Sequence, residues 1–258
     1  MFHIEDGVLI KFAHNVDTLV IPEGVEKIGR RAFVDCNVQH VVFPSTLKHI
    51  GEHAFERSNI VALNIPPGVT LGKHAFQLCT RLTEVTLHTT DIPEGAFMYC
   101  TSLTKITLPE TLATIGARAF QACNVESIDI PARTIGEEAF KGCVKLRHAC
   151  VTPELVEIHE RAFQSCTQLT TMVVPNDTTV CEEAFQGCWR LKSVEFGERV
   201  TLHDMAFREC TRLVYVGLPR GTTLGDSVFY DCIRLCDASV DRLTYIPEGT
   251  FANTKLTQ

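Results

Sequence analysis

In LTEVTLH, residues 82–88, Val85 and Leu87 alternate with polar residues. This is the period of a β-strand with one buried face. In IGARAFQAC, residues 115–123, the apolar positions 115, 119, 120 and 123 follow a helical spacing instead. That segment covers only about two turns, too few to persist alone, so it predicts a short helical or 3₁₀ piece held by packing. Many strand-like segments are followed by a proline, at Pro44, Pro66, Pro109, Pro131, Pro175 and Pro219. Its missing backbone N–H ends the pairing there.

The two patterns recur together along almost the whole chain. Aligned on phenylalanine, the anchors are Phe33, Phe55, Phe76, Phe97, Phe120, Phe140, Phe163, Phe185, Phe207, Phe229 and Phe251, spaced 20 to 23 residues apart. Alanine precedes nine of them, and cysteine follows three positions later in nine, Ser58 and Thr254 being the exceptions. So steady a period predicts a solenoid in which each coil buries its apolar side chains against the next. Each unit reads as a short strand, a turn, a short helical or 3₁₀ segment and a return. Strands about 4.8 Å apart would give a body on the order of 50 Å long.

The unit IGxxAFxxCxxLxxVxLP resembles the BspA-like leucine-rich repeats, a divergent class of the leucine-rich repeat superfamily. DGVLIKF (6–12), leading to VIPEGVEKIGRRAF (20–33), is similar to the N-terminal start of such arrays. The resemblance covers essentially the full chain. It implies an α/β repeat solenoid, a right-handed curved stack of about eleven units of 20–23 residues. A parallel β-sheet would line the concave face, with short helical or 3₁₀ segments opposite. Residues 1–27 would form an N-terminal cap, a strand or hairpin continuous with the array, and residues 28–258 the repeats.

Family members are known mainly as adhesion or interaction proteins. The resemblance therefore implies a non-enzymatic protein-binding scaffold. A surface adhesin for extracellular protein or glycan, or a structural self-assembling module, stand as alternatives. The last unit, TFANTKLTQ (250–258), ends where its strand should begin. An open terminal coil of this kind predicts a monomer, or weak self-association through the terminal repeats.

Composition narrows the partner. A net charge of −7 and a pI near 5.8 provide no general field for phosphates, so nucleic acid is not expected. No apolar run approaches the roughly 18 to 20 residues a membrane helix needs, so membrane insertion is not expected either. Glu5 and Asp6 sit where an export signal requires a basic start and an apolar stretch. The expected location is cytoplasmic, with cell surface or secretion as the alternative if a leader has been removed.

Nine of the twelve cysteines share one repeat position: Cys36, Cys79, Cys100, Cys123, Cys143, Cys166, Cys188, Cys210 and Cys232. A column of this kind marks a packing site for a small apolar group. Parallel side-chain vectors disfavour the disulfide dihedral, and a column of reduced thiols suits a reducing compartment. There is no CxxC pair to begin a zinc site, and no metal or other cofactor is predicted. Cys150, Cys181 and Cys236 lie off the column. In RHACV (147–151), inward Ala149 and Val151 would leave Cys150 as an accessible thiol.

Two surfaces are candidates for a partner. On the concave face the outward residues include Glu84, Lys105, Asp129, His148, Glu195, Tyr215 and Asp237. Interface hot spots favour Trp, Tyr and Arg. Only Tyr215 qualifies on this face, so a dedicated groove and a solvated Thr-rich sheet both remain open. The second surface is an acidic edge three residues before each Phe: Glu137, Glu160, Glu182, Asp204, Asp226 and Glu248. These acids could complement N–H groups at the starts of helical segments, with Arg81, Lys145, Arg190, Arg212 and Arg234 near the other ends. Arg118, Glu138, Arg161 and Glu183, two before the Phe, alternate in sign and predict a cross-coil ladder of exposed pairs. Alternatively the edge recruits a basic partner or a cation. His53 and His74 share a repeat position with Arg31 and read as variable surface residues. No phosphate loop, HExxH or GxSxG motif occurs, and no catalytic residues are predicted.

Overall fold

The computed structural model describes residues 2–12, 16–240, 243 and 245–257. The chain winds as a parallel β-solenoid, and each coil presents three hydrogen-bonded sides. The first side is a stack of two-residue strands, among them Thr114–Ile115, Thr134–Ile135, Glu157–Ile158 and Thr179–Val180. They pair in register, Ile115 with Ile135 and Ile135 with Ile158. The second side carries the longer strands, among them Ser127–Ile130, His148–Val151, Thr171–Val174, Ser193–Phe196 and Tyr215–Gly217. Their alternate residues are buried, as in Ser127–Ile130, where Ile128 and Ile130 face inward.

The third side is built from the Ala-Phe segment, which forms turns rather than a continuous helix. In IGARAFQAC, Ile115 belongs to a strand, and the remainder closes through 3₁₀-type bonds: Ala119 N–H to Gly116 O at 3.3 Å and Cys123 N–H to Phe120 O at 3.2 Å. Arg118 (φ 56°) and Ala122 (φ 57°), two before and two after Phe120, are left-handed, and they stop the helix from propagating. The left-handed turns free N–H groups to point along the stack. Arg118, Phe120 and Ala122 donate to the carbonyls of Glu137, Ala139 and Lys141 in the next coil at 2.7 to 2.8 Å. The same left-handed pair brackets Phe163 (Arg161, Ser165) and Phe207 (Met205, Glu209). Among the described residues the only helix is the 3₁₀ turn Lys255–Thr257.

Inside, the Phe rings stack almost parallel at 4.7 to 5.7 Å from Phe33 to Phe251. Phe12 packs against the end of the stack, 5.9 Å from Phe33 with its ring tilted by 44°, and Phe2 lies 4.9 Å from Phe12 across the hairpin of Phe2–Glu5 and Val8–Phe12. Buried Ile, Leu, Ala and Cys fill the rest of the core. Adjacent coils approach closely at the Ile-Gly corner: a Cβ on Gly136 would lie 2.7 Å from the backbone of Ile115 and Ala117.

The ladders are not continuous. The short-strand stack is interrupted between Thr70–Leu71 and Asp91–Ile92. Pro93 takes the position at which Gly72 and Gly116 each donate an N–H to the preceding coil, and it has none to give. A cleft of about 490 Å³, lined in part by Leu71, His88, Thr90, Asp91 and Pro93, opens at this joint. The longer strands break elsewhere, after His40–Val42 and again after Lys105–Thr107.

Candidate functional site

All seven outward residues expected on the longer-strand face are exposed. The pairing sorts them into rows. Ser127, His148, Thr171, Ser193, Tyr215 and Asp237 stand in register along one row, and Asp129 pairs with Cys150 and Val173 with Glu195 in the next. Glu84 and Lys105 lie beyond the sheet break and form their own cross-strand pair at 3.8 Å. Tyr215 folds over its own strand, since a Cβ on Gly217 would sit 2.7 Å from its hydroxyl. Cys150 is exposed as expected, and partial burial followed by the charge of Asp129 pushes its thiol pKa up.

The corner between the turns and this sheet carries residues that the strand pattern did not single out. Val144, Trp189 and Ile233 all lie four residues after their Phe and are exposed, Trp189 by 54%. Beside them stand Lys145, Arg190, Arg212 and Arg234, which are also exposed. The basic residues five after the Phe, Arg81 included, make no ion pair among the described residues, so they do not answer the acids across the turn. Comparing one repeat position across the coils would have exposed Trp189 in the sequence, because that position holds no other aromatic residue: it is Thr, Asn, Val or Ile in every other coil except the last, where it is Lys255.

The acidic edge is partly discharged. Glu137 meets Arg118 Nη2 at 3.4 Å and Glu160 meets Arg161 Nη1 at 2.6 Å. With no helix in these segments, a macrodipole cannot be what the acids complement. Asp204 instead accepts the backbone N–H of Asp226 in the following coil at 2.8 Å. Glu182, Asp204, Asp226 and Glu248 remain exposed.

The sign-alternating residues form two pairs, Arg118–Glu138 and Arg161–Glu183, each at 2.6 Å. They are not an exposed ladder: the Glu138 and Glu183 side chains are only 10% and 16% exposed. Burial alone would raise the Glu138 pKa, but hydrogen bonds from Arg118 and Lys141 outweigh it and hold the carboxyl below its ordinary value. His53 and His74 are likewise not surface residues. Their rings stack at 4.9 Å, about one-fifth exposed, with Glu52, Glu56 and Glu94 around them. Burial, then the charge of His53, lowers the His74 pKa.

A further cluster lies on the outer face of the short-strand side. Four residues before each Phe the chain carries glycine or proline in most coils, as at Gly29, Gly51, Gly72, Pro93, Gly116, Gly136, Gly225 and Pro247. Three successive coils depart from this with His159, Cys181 and His203. The Glu157 carboxylate, His159 imidazole and Cys181 thiol converge within 4.8 Å of one another, all half-buried. His159 Nε2 is 3.3 Å from Glu157 Oε2, and the Cys181 thiol donates to Glu157 Oε1 at 3.6 Å. Burial and then the Glu157 charge push the Cys181 pKa up to about 11. A search for short local motifs misses this group because its members are two and twenty-two residues apart.

Comparison with known proteins places the fold. A leucine-rich repeat protein from Bacteroides ovatus is similar at 22% identity and a TM-score of 0.62, over 92% of this chain and 76% of that one. A leucine-rich cell surface protein from Faecalibacterium prausnitzii is 24% identical over 99% of this chain and 93% of that one, with a TM-score of 0.49. A leucine-rich repeat protein from Eubacterium ventriosum is 17% identical over 94% and 77%, with a TM-score of 0.47. None of the curated proteins matches the chain. The BspA type leucine rich repeat region matches in six copies over residues 4–90, 90–213 and 178–258. With that match spanning the array of stacked Phe and Cys positions, the chain belongs to the BspA-type leucine-rich repeat family.

Proposed function

We propose that the chain is a non-enzymatic scaffold that binds another protein through the C-terminal half of its longer-strand face and the adjoining corner. One observation carries this reading. Trp189 and Tyr215 are 54% and 48% exposed on neighbouring coils, and Arg190, Arg212 and Arg234 stand by them without an ion-pair partner among the described residues. Trp, Tyr and Arg are the residues that concentrate binding energy at interfaces, and here all are presented on a rigid, hydrogen-bonded frame. Free guanidinium groups favour a partner whose matching segment carries carboxylates. The acidic edge is less suited to the role, because two of its six acids are already paired within the chain.

The test is capture from native lysate with photo-crosslinking groups placed at Trp189 and, as a reference, at Arg57 in an early coil. A specific protein crosslinked at position 189, and lost on Arg212→Ala with Tyr215→Ala, is expected. Crosslinking that is equal at both positions, or unaffected by the double substitution, overturns the proposal.

A further inference from the structure

We propose that Glu157, His159 and Cys181 form a binding site for a divalent transition-metal ion of the zinc class. One oxygen, one nitrogen and one sulfur donor make up a set that suits a borderline-soft ion and is a poor match for calcium or magnesium. In a tetrahedral site with bond lengths of about 2.0–2.3 Å, donor atoms stand roughly 3.3–3.8 Å apart. Glu157 lies 3.3 Å from the His159 nitrogen and 3.6 Å from the Cys181 sulfur, and the three donors fall within 4.8 Å of each other. Small rotations of side chains bring the set onto one ion.

The backbone holds these residues in place. Glu157 and His159 flank the inward-facing Ile158 on one coil and so emerge on the same side. Cys181 follows Val180 on the next coil, and the two strands are locked by the Glu157–Thr179 and Ile158–Val180 pairing. The Cys181 N–H donates to Ile158 O at 2.8 Å and the His159 N–H to Ile135 O at 2.8 Å. An ion would therefore bridge adjacent coils whose relative position is already set, with little ordering cost.

The column itself departs from its own rule here. At this corner six coils carry glycine and two carry proline, neither of which ligates a metal, and a Cβ on Gly136 or Gly116 would meet the preceding coil's backbone at 2.7 Å. Packing therefore gives no reason for a side chain at this position, yet His159, Cys181 and His203 supply one in three consecutive coils, each of a type that ligates metals. On binding, Cys181 coordinates as the thiolate and its proton passes to solvent. Three protein ligands leave a fourth position open to water or to a donor from another molecule.

The site is tested by titrating the reduced full chain with Co²⁺ and then Zn²⁺. One Co²⁺ per chain is expected, with the visible bands of a tetrahedral centre and a thiolate-to-cobalt charge-transfer band, both removed by Zn²⁺. Cys181→Ser should abolish the charge-transfer band, while Cys150→Ser and Cys236→Ser, at the exposed thiols, leave it intact. His159→Gln and Glu157→Gln should weaken binding by at least the roughly 10- to 100-fold that loss of an outer-shell partner costs. A second measurement needs no variant: Zn²⁺ should slow alkylation of Cys181 and leave Cys150 and Cys236 unchanged. Absence of a thiolate band at saturating Co²⁺, its survival in Cys181→Ser, or an unchanged Cys181 alkylation rate each overturns the proposal.

Discussion

The thiol of Cys123 donates to the backbone carbonyl of Phe97, in the preceding coil, at 3.3 Å. The same bond recurs from Cys79 to Phe55 and from Cys188 to Phe163, and Ser58 makes it to Phe33 at 3.0 Å. The column therefore selects a small donor and not merely a small hydrophobe. Cys123→Ser should be tolerated to within about 1 kcal/mol, whereas Cys123→Ala loses both the bond and packing and should cost about 1–2 kcal/mol. Urea denaturation of the two variants decides this, and equal losses would count against a role for the donor.

Thiol accessibility follows the same geometry. Cys150 and Cys236 are exposed, Cys36 and Cys181 partly buried, and the other eight cysteines buried. Labelling of the native, metal-free chain should give two fast thiols, two slow ones, and eight that react only on unfolding. Mass spectrometry of labelled peptides assigns each class.

The turns store backbone strain in residues that are not glycine. Ala122 is left-handed at φ 57°, while the equivalent residue of the next coil is Gly142 at φ 71°. A Cβ on Gly142 would meet nothing within 4 Å, so Gly142→Ala isolates the backbone term. That substitution should destabilise by about 1 kcal/mol, and Ala122→Gly should be neutral or stabilising by up to about 1 kcal/mol. Thermal melts showing the opposite order would contradict the turn assignment.

Arg118 and Lys141 both hydrogen-bond the largely buried Glu138 at 2.6 Å. Removing one cation by Arg118→Met should cost about 1–2 kcal/mol, with Lys141 limiting the loss. Arg118→Met with Glu138→Gln should recover part of it, because no buried charge is then left short of a partner.

The stacked histidines predict a dependence on pH. The folded-state pKa of His74 is lowered, so below the ordinary value of about 6.5 the unfolded chain takes up a proton that the folded chain resists. The stability it contributes is complete above that value and declines as pH falls, until the lowered folded-state value has been passed. The groups facing it are His53, Glu52, Glu56 and Glu94, and the carboxylates oppose the effect of His53 and burial without reversing it. Denaturation between pH 7.5 and 5.5 should show a smaller decline for His74→Gln than for the unaltered chain.

The period, the Phe stack and the Cys column were legible in the sequence because every coil repeats the same inward contacts. Phe12 lies 21 residues before Phe33, within the period, but Lys11 stands where alanine precedes nine of the anchors, and the column expected from the sequence began at Phe33. The turns were less legible. Left-handed geometry is usually advertised by glycine or asparagine, and here Arg118, Ala122, Leu78 and Glu138 adopt it because inter-coil hydrogen bonds hold them there. The strand at Thr114–Ile115 is two residues long, too short to display an alternation. The Glu157, His159 and Cys181 group escaped notice for a different reason: its proximity is created by coiling.

The interruptions in the two strand stacks never coincide. Where the short strands part at Pro93, the longer strands Glu84–Thr86 and Lys105–Thr107 are paired. Where the longer strands part after Lys105–Thr107, the short strands Asp91–Ile92 and Thr114–Ile115 are paired. Turn-to-turn bonds cross both joints, from Phe76 to Ala96 and from Phe97 to Ala119. The joints are staggered like courses of brick, so the array contains no plane along which it can be cleaved by breaking one side alone. Pulled from its ends, it should yield as a single body, with Pro93 marking where it bends.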